Sequence, residues 1–96
     1  MSAGGIISNL LADGATPGRG TVGPVRVFVY GTFGSGSAQV QMQAPDDAWQ
    51  DVDTALTADG EVFINVPPGV QNKVRVDLSG ATAPDIDIWI QSALDT

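Results

Sequence analysis

The chain has 96 residues, of which 43% are hydrophobic and only 16% charged, so it suits one folded domain and is too apolar for a disordered segment. Eleven acidic and four basic residues give a net charge of −7, and an acidic surface argues against nucleic-acid binding. It has no cysteine and no histidine, which excludes a disulfide framework and removes the usual general base and the commonest metal ligand. We therefore expect neither an enzyme nor a bound cofactor or transition metal.

The N-terminal stretch Met1–Gly14 carries no basic region, and Ser8 and Asn9 interrupt its apolar residues, so it does not resemble a signal peptide. The chain has no run of about 20 apolar residues, so the sequence predicts no transmembrane helix and no membrane partner. We therefore expect synthesis in the cytoplasm.

Residues Met1–Gly20 are rich in glycine and other small residues. Their apolar cluster consists of Ile6, Ile7, Leu10 and Leu11. This spacing is enough for one or two helical turns, which Gly4, Gly5 and Gly14 limit on both sides. Two interpretations follow: a frayed terminus, or an arm that orders against a neighbouring subunit or a capsid. We expect a flexible arm over residues 1–20 and a β-sandwich domain over residues 21–96.

After residue 20, apolar and polar residues alternate with the period of two that is typical of half-buried strands. The predicted strands are Val22–Tyr30, Ala38–Gln43, Trp49–Asp53, Glu61–Val66, Lys73–Leu78 and Ile86–Gln91. Their regular spacing predicts an all-β fold, an antiparallel β-sandwich of roughly six to eight strands that is immunoglobulin-like or jelly-roll-like. The predicted core consists of Val27, Val29, Val40, Met42, Trp49, Val62, Ile64, Val74, Val76, Ile86 and Ile88.

The clearest hairpin prediction covers Ala38–Asp53. Ala38–Gln43 alternates strictly, the turn Pro45–Asp47 stops the strand, and Trp49 begins the return strand with the largest apolar side chain. We expect Trp49 in the core and the other strands packed around this hairpin.

Residues Gly18–Gly23 match the dinucleotide-binding pattern G-x-G-x-x-G. That chemistry needs a strand before the pattern and a helix after it, whereas here a Pro-Gly linker precedes it and Pro24 and a strand follow. We interpret the pattern as a linker.

Four acidic residues crowd the predicted hairpin. They are Asp46, Asp47, Asp51 and Asp53. Carboxylates suit Ca²⁺, but this spacing matches no calcium loop, so we interpret the cluster as a solvated turn and leave weak calcium binding open.

The predicted strands also carry aromatic residues opposite their aliphatic stripes. These are Phe28, Tyr30, Phe63 and Trp89. Because strand Val22–Tyr30 is then apolar on both faces, we expect it in the middle of a sheet. Either a second sheet covers some of these aromatic side chains, or they form an exposed patch of the kind that marks interaction sites.

Several runs of the sequence carry a family resemblance. The first three are Val29–Gly34 (VYGTFG), Ala38–Gln43 (AQVQMQ) and Pro45–Val52 (PDDAWQDV). The later ones are Leu56–Gly60 (LTADG), Val66–Gly69 (VPPG), Val74–Thr82 (VRVDLSGAT) and Ile86–Ile90 (IDIWI). Together they resemble small structural proteins of tailed bacteriophages, in which G-x-F/W-G-G-G leads to V-x-L-x-x-S-x-D-G-x-W-x-x-V. The resemblance covers Val25–Gln91, and Asp47-Ala48 stands where the usual pattern has Asp-Gly.

The resemblance implies a β-sandwich found on virions, without catalytic residues. We expect a capsid decoration (cement) protein that binds the major capsid protein on the outer head surface and stabilises it. Because such proteins often sit at capsid three-fold points, the resemblance also implies a homo-oligomer, with a trimer favoured. The expected interface residues are Ile6, Ile7, Leu10, Leu11, Phe28, Tyr30, Phe33 and Trp89.

Two alternatives stay open. One is a carbohydrate- or receptor-binding β-sandwich module that uses Tyr30 or Trp89 as a stacking platform. The other is a structural component of the tail or of the head–tail joint.

Overall fold

The structure of the protein, a computed structural model, describes residues 6–44 and 46–92, with side chains from residue 8 onward. In this part of the chain, nine strands form two antiparallel sheets that pack as a β-sandwich, which confirms the predicted fold class. The strands are β1 (Ile6–Leu10), β2 (Gly14–Ala15), β3 (Arg19–Val22), β4 (Val25–Thr32), β5 (Ser37–Gln43), β6 (Trp49–Asp51), β7 (Gly60–Ile64), β8 (Gln71–Ser79) and β9 (Asp85–Ser92). Within these residues, the structure holds no helix long and apolar enough to cross a membrane.

The strands divide between two sheets that we call A and B. Sheet A has the order β1-β9-β4-β7, so β4 lies in the interior of its sheet, as the sequence predicts. Sheet B has the order β2-β8-β5-β6, and β3 pairs with β8 as well. Within the described residues the chain changes sheets at six connections, namely β1–β2, β3–β4, β4–β5, β6–β7, β7–β8 and β8–β9.

The core lies between the sheets and is formed by alternate residues of their strands. Sheet A contributes Val25, Val27, Val29, Val62, Ile64, Ile86, Ile88 and Ile90, and sheet B contributes Ala38, Val40, Val74, Val76 and Leu78. Nine of the eleven predicted core residues are buried, the exceptions being Met42 and Trp49. The period-two pattern therefore identifies the inward face correctly along the long strands, where alternation is uninterrupted.

Trp49, which the sequence predicts in the core, lies instead on the outer face of sheet B. It pairs with Gln43, and residues directly opposite each other on antiparallel strands project from the same face. Gln43 belongs to the polar side of its strand, so Trp49 joins it there, and the Arg75 guanidinium lies 4.3 Å from its ring centre. Met42 packs against the core but is only partly buried. The predicted hairpin itself is confirmed, with β5 in the interior of sheet B and β6 at its edge.

The described part of the predicted arm, residues 6–20, contributes β1, β2 and the start of β3 to the two sheets, so the expectation of a flexible arm with helical turns is wrong for these strands. β1 pairs with β9 along its whole length, from Ile6↔Ile90 to Leu10↔Ile86. β2 and β3 pair with β8, and the expected domain boundary after residue 20 falls inside β3. The physical reason is that ladder hydrogen bonds to a distant strand are available here, whereas one or two isolated helical turns are unstable in water. Residues 1–5 lie outside the described residues.

Residues 19–22 form β3 and Gly23 lies in the turn that follows it, so the interpretation of residues 18–23 as a linker is wrong for all but Gly18. Gly20 pairs with Lys73 inside the sheet. Gly23 has a φ of 68° and donates its main-chain N–H to the Val70 carbonyl oxygen at 2.8 Å. The glycine pattern is followed by strand β4 and therefore does not open a helix.

Candidate functional site

The aromatic residues that the sequence places opposite the aliphatic stripes lie on the outer face of sheet A. Phe28 of β4 and Trp89 of β9 are register partners, and their ring centroids are 5.0 Å apart with the planes tilted by 48°. The Arg26 guanidinium lies 4.9 Å from the centroid of the Phe28 ring. Tilted ring pairs and cation–π contacts of this kind are favourable, so these side chains hold one another in place on the sheet.

Two further aromatic side chains of this face are open to solvent. Tyr30 is 40% exposed and Phe63 is 55% exposed, whereas Phe28 and Trp89 are half-buried. Phe63 lies on β7 directly opposite Arg26, and Tyr30 lies opposite Asp87 of β9. We call Phe28, Tyr30, Phe63 and Trp89 the aromatic face. Of the two possibilities that the sequence leaves open, the structure favours the exposed patch, because sheet B covers the other face of sheet A.

Charged groups border the aromatic face on two sides. Arg26 Nε donates to Glu61 Oε2 at 2.8 Å, an exposed ion pair of the kind that contributes little to stability. Near Tyr30, the Asn9 Nδ2 donates to Asp85 Oδ1 at 2.9 Å and to Asp87 Oδ1 at 3.0 Å. One border of the face is therefore acidic and fixed by a shared amide donor.

Phe33, an expected interface residue, is buried in the core with 7% of its surface exposed, so its side chain does not form part of a surface. It follows β4 directly, where the chain leaves sheet A for sheet B. Gly36 N–H donates to the Phe33 carbonyl oxygen at 2.9 Å, which closes this turn over the core. A large aromatic residue at a crossover fills the end of the sandwich, and no period-two pattern indicates that role.

The other expected interface residues lie on or beside β1. Leu10 packs partly buried against the core, whereas Leu11 is 66% exposed in the connection after β1. The side chains of Ile6 and Ile7 lie outside the described residues, although both residues belong to β1 and pair with β9.

The acidic residues of the β5–β6 hairpin make local hydrogen bonds. Asp46 Oδ1 accepts from Ala48 N–H at 3.1 Å, and Asp53 Oδ1 accepts from Thr54 N–H at 2.7 Å. Asp51 Oδ1 accepts from the Gln41 side-chain amide at 2.9 Å. Within the described residues, no three acidic side chains are grouped so that they could hold a metal ion.

Sequence reasoning left Phe63, Arg26 and Asp87 out of the expected interface, although they belong to or border the aromatic face. The same alternation that identifies Phe28 and Tyr30 also places these residues on the outer side of their strands. That they lie next to one another can be predicted only when the pairing of β4 with β7 and β9 is known.

Neither a comparison with protein-family models nor one with curated proteins finds a match for this chain.

Proposed function

We propose that this protein is a structural virion protein of a tailed bacteriophage. It acts as a capsid decoration (cement) protein that binds the major capsid protein on the outer head surface and stabilises the head. It works as a homo-oligomer, with a trimer favoured. The resemblance of Val25–Gln91 to small phage structural proteins supports the virion role, and the aromatic face supports attachment through sheet A.

The single observation that supports attachment through sheet A is the aromatic face. Tyr, Trp, Phe and Arg are enriched at protein interfaces and dominate their binding energy. Here Phe28, Trp89 and Arg26 are already held by their mutual contacts on a paired sheet. Less side-chain freedom is then lost when a partner binds, which increases affinity for a given contact area.

Attachment through this face replaces the attachment through an N-terminal arm that the sequence suggests. Residues 6–20 form β1, β2 and part of β3, so their hydrogen bonds and Leu10 are used within the sandwich. Tyr30 and Phe63, by contrast, have exposed rings that contribute nothing further to this core.

Co-sedimentation with undecorated heads of the encoding phage tests the proposal. We expect Tyr30→Ser and Phe63→Ser each to weaken binding roughly tenfold, a loss of about 1.4 kcal/mol. The matched control is Val70→Ser, because Val70 has the same 40% exposure as Tyr30 and lies in the connection before β8. Equal binding of all three variants would rule out the aromatic face, and no binding of the full chain to heads would rule out decoration.

Two further binding experiments separate the alternatives. A tail or head–tail component would bind purified tails or portal complexes and leave heads undecorated. A carbohydrate- or receptor-binding module would bind a glycan array through Tyr30 or Trp89, and Trp89→Ala would abolish that signal.

A further inference from the structure

Strand β7 (Gly60–Ile64) forms an edge of sheet A that no other described strand covers. It pairs with β4 over all five residues, from Val25↔Ile64 to Val29↔Gly60, and the order β1-β9-β4-β7 leaves its other side open. An open edge presents unpaired main-chain N–H and C=O groups that can pair with a further strand. The edge strand β6 of sheet B, by comparison, has only three residues.

One hydrogen bond shows which way the main chain of β4 is turned. Gly31 N–H donates to Asp59 Oδ1 at 2.8 Å, and Asp59 directly precedes β7. Since main-chain groups point alternately to the two sides of a strand, Val27 also turns toward β7. The strand on the other side agrees, because Ile86, the register partner of Gly31, directs its carbonyl oxygen to the Asn9 side-chain amide of β1 at 3.2 Å.

The same alternation shows which groups of β7 face the open edge. Val27 pairs with Val62, so the main-chain groups of Val62 are turned toward β4. The residues on either side of it, Glu61 and Phe63, therefore turn their N–H and C=O groups away from β4. Two donors and two acceptors thus lie in a row along the edge, in the arrangement with which a strand pairs.

The side chains of β7 do not protect this edge against a further strand. Natural edge strands are commonly protected by lysine, proline, a bulge or a short length. The sequence of β7, GEVFI, contains neither lysine nor proline, and its register with β4 is uninterrupted. Its one charged residue, Glu61, accepts from Arg26 of β4 at 2.8 Å, so its carboxylate is held on the side away from the edge. Phe63, in contrast, is 55% exposed.

We propose that β7 binds an extended segment of the major capsid protein, which adds to sheet A as a fifth strand. The inference rests on the proposed decoration function and adds to it the kind of segment that the partner supplies. Phe63 belongs both to the aromatic face and to β7, so one partner can contact the face and the edge together. In this mode of recognition, main-chain hydrogen bonds supply affinity and alternate side chains supply specificity.

The surroundings of the edge define the chemistry of the segment. Asp59 and Glu61 are exposed, and the chain has a net charge of −7, so basic side chains are favoured on the outer face of the added strand. A guanidinium there can also stack on the exposed Phe63 ring. On the inner face, the added strand continues the row of Val62 and Ile64, which favours apolar side chains. The segment is therefore an alternating basic and apolar strand.

A second copy of this chain fits the edge less well. Pairing of β7 with β7 of another copy would bring Asp59 and Glu61 of both copies close together, and like charges repel. It would also give a two-fold dimer, because the same surface is used on both sides. The proposed trimer needs a different contact.

Glu61→Pro and Glu61→Ala form a matched pair of variants for this edge. Both remove the exposed ion pair with Arg26, which contributes little to stability. Proline also removes the outward N–H, and it is tolerated in an edge strand where that N–H faces solvent. The two variants therefore differ in one hydrogen-bond donor of the edge, and melting curves show that both fold.

The first measurement uses two acetylated and amidated hexapeptides, RVRVRV and EVEVEV, which are titrated into the full chain while its amide NMR spectrum is recorded. We expect RVRVRV, and not EVEVEV, to shift the signals of β7 and to slow hydrogen exchange at Glu61 and Phe63. Glu61→Pro should bind RVRVRV roughly tenfold more weakly than Glu61→Ala, and N-methylation of alternate peptide residues should weaken binding by a similar factor. No binding at millimolar concentration, equal binding by both variants, or shifts that leave out β7 would overturn the proposal.

Undecorated heads separate this inference from the proposed function. In co-sedimentation, Glu61→Pro should bind heads roughly tenfold more weakly than Glu61→Ala. Equal binding of the two variants to heads would rule out a capsid segment on β7 and leave attachment through the aromatic face intact. Binding of RVRVRV by a chain that does not bind heads would refute decoration, and with it the capsid protein as the source of the strand. A dimer joined through β7 would overturn the proposal in favour of a second copy.

Discussion

At the scale of single residues, Gly34 shows how closely two of the connections between the sheets, β4–β5 and β8–β9, approach each other. It has a φ of 59°, a conformation that side-chain-bearing residues rarely adopt, and its carbonyl oxygen accepts from Thr82 N–H at 2.9 Å. A Cβ at this position would lie only 2.9 Å from the Thr82 carbonyl carbon. Gly34 therefore allows the β4–β5 and β8–β9 connections to meet beside Phe33.

Gly34→Ala and Gly80→Ala form a matched pair that separates backbone strain from steric overlap. Gly80 has a φ of 70°, but a Cβ there meets no described atom within 4 Å. We expect Gly80→Ala to lower the free energy of unfolding by about 1–2 kcal/mol from strain alone. Gly34→Ala should lower the free energy of unfolding by roughly 1–3 kcal/mol more, because the added Cβ overlaps with Thr82. Urea denaturation measures both, and equal losses would show that the crossovers do not approach this closely.

At the scale of elements, the sequence predicts the long strands well and the short ones poorly. β4, β5, β8 and β9 alternate strictly, so their positions and inward faces follow from the pattern. β2 and β3 contain two and four residues with one glycine each, and their structure depends on pairing with β8. Pairing between segments some 60 residues apart leaves no local signal in the sequence. The sequence therefore predicts an arm where the structure has strands of the sandwich.

Deletion of residues 1–10 tests whether β1 belongs to the sandwich. The deletion removes the partner of β9 and the half-buried Leu10, so we expect the free energy of unfolding to fall by roughly 2–4 kcal/mol. Amide hydrogen exchange of Ile86–Ile90 should also become faster. Leu11→Ser is the control, because Leu11 is largely exposed and its replacement should change stability by less than about 0.5 kcal/mol. Unchanged stability of the truncated chain would mean that β1 is only loosely attached.

At the scale of the whole molecule, the sequence could predict the aromatic face only in part. The members of the aromatic face follow from alternation within single strands, although their grouping requires the order β9-β4-β7.

The proposed trimer has a consequence for solution behaviour that depends on charge. Three copies of a chain with net charge −7 repel one another, and salt screens this repulsion. We expect sedimentation equilibrium to show three times the chain mass of 9.9 kDa, with association that strengthens as salt is added. A mass of one chain at every salt concentration and at micromolar protein would contradict the trimer.

The central claim, attachment of sheet A to a capsid through the aromatic face, is tested most directly by cryo-electron microscopy of heads decorated with the full chain. The account predicts density for the sandwich on the outer head surface, with Phe28, Tyr30, Phe63 and Trp89 turned toward the major capsid protein. It also predicts that sheet B faces away from the shell. A reconstruction in which sheet B contacts the capsid, or in which the aromatic face points to solvent, would contradict the account.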